Sequence, residues 1–206
     1  FRSDEEVRAW LPEWPRIHPS RPLLLGMDPG ADHPFAVVIA VVTPSGLIQV
    51  GEYKGRHKPL LEHWREVQAI LYGLCPERPT MPETMAVDKS QRQQIIEFQQ
   101  MGVHLTPAEN SVVAGIHRVT SWLASGRFRF APGRCPQTQK ELASYRWAEN
   151  TAKSGELRDE RVLKVNDDLP DALRYMLMTY PELPDPIAVA DVLPSDTDPA
   201  WWQRER

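Results

Sequence analysis

Three aspartates stand beside apolar segments, where a carboxylate is costly unless it has a partner. Asp28 and Asp88 each close a short apolar run, at residues 22–27 and 84–87, and Asp171 opens an apolar helical segment. If folding brings these acids together, they form a site for a divalent cation. Oxygen ligands of this kind suit Mg²⁺ or Mn²⁺. We therefore take the three carboxylates as candidate catalytic residues and metal ligands.

Each acid also has a simpler interpretation. Asp28 precedes a Pro-Gly pair and suits a turn, and Asp88 precedes Ser90, a candidate helix cap. Asp168 is a further candidate metal ligand, although an N-cap at the start of the last helix is the favoured interpretation for it. Asp171 would then lie in the first helical turn, where the helix dipole favours an acid.

Apolar periodicity and turn formers predict a series of strands and helices that must position these acids. The predicted strands span residues 23–28, 35–42, 47–53, 85–87 and 103–106, with a short extended segment at 128–130. The predicted helices span residues 59–74, 90–100, 110–124, 136–150 and 168–180, and a β-hairpin is predicted for 151–165. Ser90 with Gln93 resembles a capping box, and Asn110 is a candidate N-cap.

The order of these elements predicts that the acids converge. The first three strands, joined by short turns, form an antiparallel meander. If the fourth strand pairs parallel with the first, Asp28 and Asp88 project from the same sheet edge, since neighbouring strands lie about 4.8 Å apart. Open sheets bind ligands at such carboxyl ends. The last helix could add Asp171, and like charges this close need cations between them.

Composition places the chain among ordinary soluble domains. Its 206 residues fit one domain, and no apolar run is long enough to cross a membrane. Cys75 and Cys135 lie in no metal-ligand spacing and are expected to be idle thiols. The net charge of −4 argues mildly against a nucleic-acid partner, although basic residues crowd the middle of the chain. His33, His104 and His117 lack paired-ligand spacing and are expected to be surface or packed residues.

An ordered set of motifs resembles a known family. The motifs are Gly26-Met27-Asp28-Pro29-Gly30 followed by residues 32–37, Ala86-Val87-Asp88-Lys89-Ser90, residues 110–116, residues 141–147 and residues 166–175. In this order they resemble the ribonuclease H-like (retroviral integrase-like) nuclease fold. More narrowly, residues 22–180 resemble the C-terminal nuclease domain of the large terminase subunit of tailed bacteriophages.

The resemblance implies a fold and a domain organisation. The fold is an α/β ribonuclease H-like domain, whose mixed five-stranded sheet has three antiparallel strands and then parallel strands. Helices flank the sheet, and a β-hairpin is added. The nuclease domain is expected to span residues 22–180. From composition alone, residues 1–21, rich in Trp, Pro, Arg and Glu, are expected to be a leader or linker, and the Pro- and Asp-rich residues 181–206 an irregular acidic tail. The chain begins with Phe1 and has no Walker A motif, so we expect the nuclease part of a longer protein.

The resemblance also implies an activity. The implied activity is that of an endonuclease that cleaves double-stranded DNA during viral genome packaging. It would use two Mg²⁺ or Mn²⁺ ions, with Asp28, Asp88 and Asp171 as their ligands. Many relatives carry a His where Asp168 stands, so this residue departs from the pattern. The implied partners are the packaging ATPase domain of the same polypeptide, the small terminase subunit and the portal, with no membrane. The implied location is the cytoplasm of the infected bacterial host.

Four basic residues are candidates for DNA contacts. Lys89, beside Asp88, could orient phosphate or water, although an exposed lysine is the simpler interpretation. Arg158, Arg161 and Lys164, in the predicted hairpin, could follow a DNA backbone or form a solvated surface. A nuclease of this kind should cut without strong sequence reading, so phosphate contacts should dominate.

Two other functions remain open. A Holliday-junction resolvase-like nuclease would also suit the sequence Gly-x-Asp-Pro-Gly, and it would prefer four-way junctions to linear duplex. Alternatively, the domain could keep the fold, have weak or no catalysis, and dock onto a packaging motor or portal.

Overall fold

The chain folds around one mixed sheet. The structure, a computed structural model, describes residues 21–30, 33–76, 82–145 and 166–181. Its strands are β1 (Leu23–Pro29), β2 (Phe35–Thr43), β3 (Gly46–Gly55), β4 (Thr84–Asp88), β5 (Thr106–Ala108) and β6 (Phe128–Phe130). Its helices are α1 (Leu60–Leu74), α2 (Arg92–Gln100), α3 (Val112–Ala124), α4 (Pro136–Ser144) and α5 (Asp168–Thr179).

The strand order is β5-β4-β1-β2-β3-β6. The strands β1, β2 and β3 pair antiparallel, as an apolar meander with short turns should. β4 pairs parallel with β1, β5 with β4, and β6 with β3. The predicted mixed sheet is confirmed, and the extended segment at 128–130 joins it as a sixth strand. The predicted hairpin at 151–165 lies outside the described residues.

The sheet is covered on both faces. One apolar cluster joins alternate residues of β1 and β2 to Trp64 of α1 and Phe98 of α2. The other joins the remaining residues of these strands to Trp122 of α3 and to much of α5. Both sides of β1 are therefore buried, which explains its continuous apolar sequence. Among the described helices, none is both long and apolar enough to span a membrane.

Two predicted helix caps are wrong. Neither α2 nor α3 has a side-chain cap, and the helices begin at Arg92 and Val112. The side chains of Ser90 and Asn110 donate hydrogen bonds to the Asp88 carboxylate instead, at 2.8 and 3.1 Å. An N-cap side chain accepts from a backbone amide, whereas both of these side chains are instead oriented as donors to the buried carboxylate of Asp88.

Two predicted boundaries also shift. The fifth strand begins at Thr106 rather than residue 103, because Val103 belongs to the end of α2. The Val103 amide donates to the Phe98 carbonyl at 2.9 Å, and Gly102 has φ +75°, as in a Schellman motif. The helix predicted for 136–150 ends at Ser144, since Tyr145 is extended.

Candidate metal centre at the carboxyl ends of β1 and β4

Four aspartates gather where β1 and β4 end. The parallel register pairs Met27 with Val87, so Asp28 and Asp88 follow on neighbouring strands. The first turn of α5 brings Asp168 and Asp171 to the same place, and all four residues are buried. The expected acids therefore lie at one edge of the sheet, but among the described residues the group whose ligand atoms lie within 4.8 Å of one another is Asp28, His33 and Asp168, without Asp88 or Asp171.

Close packing of α5 on β1 makes this convergence possible. A Cβ atom at Gly26 would lie 2.0 Å from the carbonyl oxygen of Ala172 and 2.8 Å from Cβ of Met176. Only a residue without a side chain lets the helix backbone approach so closely. Gly26 stands two residues before Asp28, so the same contact fixes the distance between the strand end and the helix start.

Asp28 is the carboxylate with the least compensation. It is 6% exposed, and no hydrogen bond reaches its side chain from the described residues. Its pKa is raised to about 7, chiefly by burial; the charge of His33 lowers the pKa, and the charges of Asp171, Asp168 and Asp88 raise it. A buried carboxyl that needs a positive charge is the group that a cation would stabilise most.

Asp28, His33 and Asp168 form the tightest group. Each offers one ligand atom, and these atoms lie within 4.8 Å of one another. Nδ1 of His33 is 3.2 Å from Oδ1 of Asp168, and the His33 side chain is 45% exposed. Two carboxylate oxygens and an imidazole nitrogen fit a divalent ion, and the carboxylates suit Mg²⁺ or Mn²⁺.

Asp168 is not the N-cap of the last helix, so the cap interpretation is wrong. Asp167 occupies that position and makes no side-chain cap. Oδ2 of Asp168 instead accepts a bond from Lys54 Nζ at 2.7 Å, and Lys54 also donates to Glu141 at 2.5 Å. Burial would lower the pKa of Lys54, but these two carboxylates outweigh it and raise the pKa. A buried ammonium thus already balances part of the site's charge.

Asp88 is held by four donors. Oδ1 accepts from the Ser90 amide at 2.9 Å and from Asn110 Nδ2 at 3.1 Å. Oδ2 accepts from Ser90 Oγ at 2.8 Å and from the Tyr175 hydroxyl at 3.1 Å. Burial would raise the pKa of Asp88, but these bonds outweigh it and lower the pKa. Because a carboxylate has about four lone-pair sites, metal binding here would displace or share a donor.

Asp171 is oriented by two neighbours. Its Oδ1 accepts from the Tyr145 hydroxyl at 3.0 Å and lies 3.2 Å from Nη2 of Arg174. Burial would lower the pKa of Arg174, but the charge of Asp171 outweighs it and raises the pKa. Gly115 of α3 leaves the space that Arg174 fills, since a Cβ there would lie 2.4 Å from the arginine Cδ.

The predicted DNA-contacting residues are only partly described. Lys89 is exposed and bonded to both carboxylate oxygens of Glu109, at 2.9 and 2.8 Å. An exposed pair of this kind contributes little, so the role of Lys89 in DNA contact stays a prediction. Arg158, Arg161 and Lys164 lie outside the described residues.

Sequence reasoning missed His33, Lys54 and Glu141 as members of the site. His33 is partly exposed, as expected, but it contacts Asp168 rather than standing apart. Lys54 lies in the half-buried end of β3, which also contains Glu52, so the sequence did not single it out. Glu141 is buried in α4 and accepts a bond from the Leu169 amide at 3.1 Å, a contact that spans 28 residues and has no local signature.

Known proteins share this fold. Residues 25–179 match the family described as the terminase RNaseH-like domain. The large terminase of the thermophilic bacteriophage D6E, in complex with ADP, is similar with a TM-score of 0.67 and 24% identity, over 80% of this chain and 40% of that one. The chain therefore spans less than half of that protein. None of the curated protein sequences matches the chain.

Two nuclease-domain structures are matched over most of their length. The large terminase nuclease domain of P22 gives a TM-score of 0.61 and 19% identity, over 79% of this chain and 83% of that one. The large terminase nuclease domain of bacteriophage SPP1, a structure with bound Mn, gives a TM-score of 0.55 and 19% identity, over 75% of this chain and 84% of that one. The predicted ribonuclease H-like fold is confirmed.

Proposed function

The chain belongs to the family of terminase RNaseH-like domains, and on that premise we propose that it is the nuclease part of a phage large terminase subunit. It would cleave double-stranded DNA by two-metal phosphodiester hydrolysis during genome packaging. The observation that carries the proposal is the gathering of four buried aspartates at the ends of β1 and β4, where Asp28 accepts no hydrogen bond from the described residues.

The residues present fit divalent ions. Asp28, His33 and Asp168 would hold one ion, and Asp88 and Asp171 would complete the site beside them. When bound, Mg²⁺ or Mn²⁺ would activate a water and stabilise the leaving oxygen. Support for manganese comes from the SPP1 nuclease domain, whose structure holds that metal.

The surrounding side chains would keep the ligands in place. Lys54 fixes one oxygen of Asp168, and Tyr145 with Arg174 fixes one oxygen of Asp171. Burial and the nearby Asp171 charge raise the pKa of Tyr145, so its phenol stays neutral and donates. Asp28, which has no such support, would lose its proton to become a ligand.

The wider setting is part of the same proposal. The substrate would be double-stranded DNA, with Lys89, Arg158, Arg161 and Lys164 as proposed contacts. The partners would be a packaging ATPase domain in the same polypeptide, the small terminase subunit and the portal, in the cytoplasm of the infected host. Residues 1–21 would link to the ATPase domain, and 181–206 would form an acidic tail.

A plasmid cleavage assay tests the activity. With Mn²⁺ or Mg²⁺ present, we expect nicking and linearisation that a chelator abolishes. Asp28→Asn should reduce cleavage by more than about a hundredfold, beyond the effect usual for residues that only support a metal ligand. Glu62→Gln, which removes an exposed acid in the first turn of α1, is the matched control and should cleave normally. Normal cleavage by a folded Asp28→Asn protein would reject the proposal.

A further inference from the structure

A polar cavity opens beside the candidate metal centre. Its volume is about 400 Å³, and its walls come from the end of β1, the loop between β3 and α1, and α2. Pro29, Gly30 and His33 line it, and His33 also belongs to the tight group with Asp28 and Asp168. The cavity and the metal centre therefore share a wall, and its volume is in the range of sites for a small ligand or one nucleotide.

The loop wall of this cavity is basic. Arg56, His57 and Lys58 are consecutive, exposed and part of the lining. Lys58 is bonded to Glu66 at 2.5 Å, whereas Arg56 has no hydrogen bond or ion pair with the described residues. Glu97 of α2 also lines the cavity and accepts a bond from Gln93 at 2.9 Å. Arg56 is thus the cation left for a ligand.

The same loop has an uncommon backbone conformation. His57 has φ +57°, in the left-handed region that residues other than glycine rarely adopt. Such conformations persist where the surrounding structure holds them, and they cluster at ligand sites. Here the conformation lies between the two cations, Arg56 and Lys58, and helps set the direction in which they project.

The inner wall is packed and hydrogen-bonded. The ring of His63 stacks on Phe35 with centroids 5.0 Å apart, and its Nδ1 lies 2.7 Å from the Tyr53 hydroxyl. Tyr53 donates to Glu66 at 2.6 Å, and because a phenol has one proton, His63 Nδ1 must be the donor to Tyr53. This chain of bonds orders the wall that a ligand would meet.

We propose that this cavity binds a backbone phosphate of the DNA strand, adjacent to the phosphate at the metal centre, with Arg56 as its main contact. A guanidinium binds phosphate oxygens through two parallel bonds. His33 belongs both to the cavity lining and to the group with Asp28 and Asp168, so a strand bound at the metal centre would have its neighbouring phosphate at this cavity. This inference rests on the proposed function, and it adds a contact that the sequence did not predict.

Binding of a fluorescein-labelled 20-bp duplex, measured by anisotropy with EDTA and increasing KCl, tests the site. All variants carry Asp28→Asn, so that cleavage plays no part. Adding Arg56→Gln should weaken binding about five- to tenfold and lower the slope of log affinity against log salt by about 0.9, the value for one lost phosphate contact. Arg65→Gln is the matched control, because Arg65 is also exposed and lies outside the cavity lining.

The outcomes separate this inference from the nuclease proposal. Equal losses in Arg56→Gln and Arg65→Gln, an unchanged salt slope, or no DNA binding before substitution would each overturn the phosphate site. Arg56→Lys should restore part of the affinity and the whole slope. Cleavage that does not depend on Asp28 would reject the proposed function, while a loss of binding specific to Arg56 would still support a phosphate site.

Discussion

Lys54 shows how much of the centre's charge balance depends on one side chain. Its side chain is 11% exposed, and its ammonium group contacts two buried carboxylates, Asp168 and Glu141. A buried ion pair adds little net stability, but removing one partner is costly because the other charge is then uncompensated.

Lys54→Met should therefore destabilise the metal-free protein by about 3 kcal/mol in urea denaturation. Lys58→Met is the matched control, since Lys58 also pairs with a glutamate, but at the surface. It should have little measurable effect, as exposed pairs contribute little. Equal effects of the two substitutions would mean that Lys54 does not compensate the buried acids.

The raised pKa of Asp28 predicts how the stability of the metal-free protein depends on pH. Its folded pKa of about 7 is above the ordinary value of 3.8, chiefly because of burial, so between these values the folded state holds a proton that the unfolded chain has lost. Without metal, its contribution to stability should fall as the pH rises through this window, by up to about 1.4 kcal/mol per pH unit.

The measurement is the difference in unfolding free energy between the unsubstituted protein and Asp28→Asn, at about pH 5 and pH 7. His63 has the opposite pH dependence. Its pKa is lowered, chiefly by burial, so its contribution to stability is lost as the pH falls through 6.5. Both proteins contain His63, and the subtraction removes its effect. A difference that stays constant with pH would show that the pKa of Asp28 is not raised.

Among the elements, the contact of α5 with β1 decides whether a site exists. The carbonyl of Ala172 lies where a Gly26 side chain would begin. This contact places the first turn of α5, with Asp168 and Asp171, beside the end of β1. A bulkier residue would separate the two elements.

Gly26→Ala should destabilise the protein by about 3 kcal/mol, because the atom it meets is backbone and cannot rotate away. Gly73→Ala, in α1, is the control: nothing lies within 4 Å of its added Cβ, and it should stabilise by about 0.5–1 kcal/mol through helix propensity. Denaturant unfolding of both variants checks this. A Gly26→Ala protein as stable as the unsubstituted one would contradict the close contact between α5 and β1.

On the scale of the whole molecule, the sheet is buried on both faces and the acids collect at one end of its central strands. The folded core thus holds like charges together, and this electrostatic cost is removed when cations bind. Stability should therefore be linked to divalent metal.

Mn²⁺ should raise the melting temperature of the protein, with about 2.7 kcal/mol of added stability at a hundred times the dissociation constant. Calorimetry with and without a chelator, at matched ionic strength, measures this. Asp28→Asn should remove most of the increase, and Glu62→Gln should retain it. An increase of the same size in Asp28→Asn would place the metal elsewhere.

The sequence by itself determined the order of the elements and the mixed sheet. Alternating and continuous apolar runs report burial directly, and short turns force the meander. It also selected Asp28, Asp88, Asp168 and Asp171, whose role as metal ligands stays a prediction. Local patterns could not show that Ser90 and Asn110 donate to Asp88 rather than cap helices, because that choice depends on a charge that only folding brings near.

Only the tertiary structure decided what surrounds the acids. Lys54 reaches Asp168 across 114 positions of the chain, and Glu141 and His33 join the same group from other elements. The helix α5 approaches β1 closely enough because Gly26 has no side chain. Contacts between distant segments are set by packing and electrostatics, which act on distances in space and leave no period or spacing in the sequence.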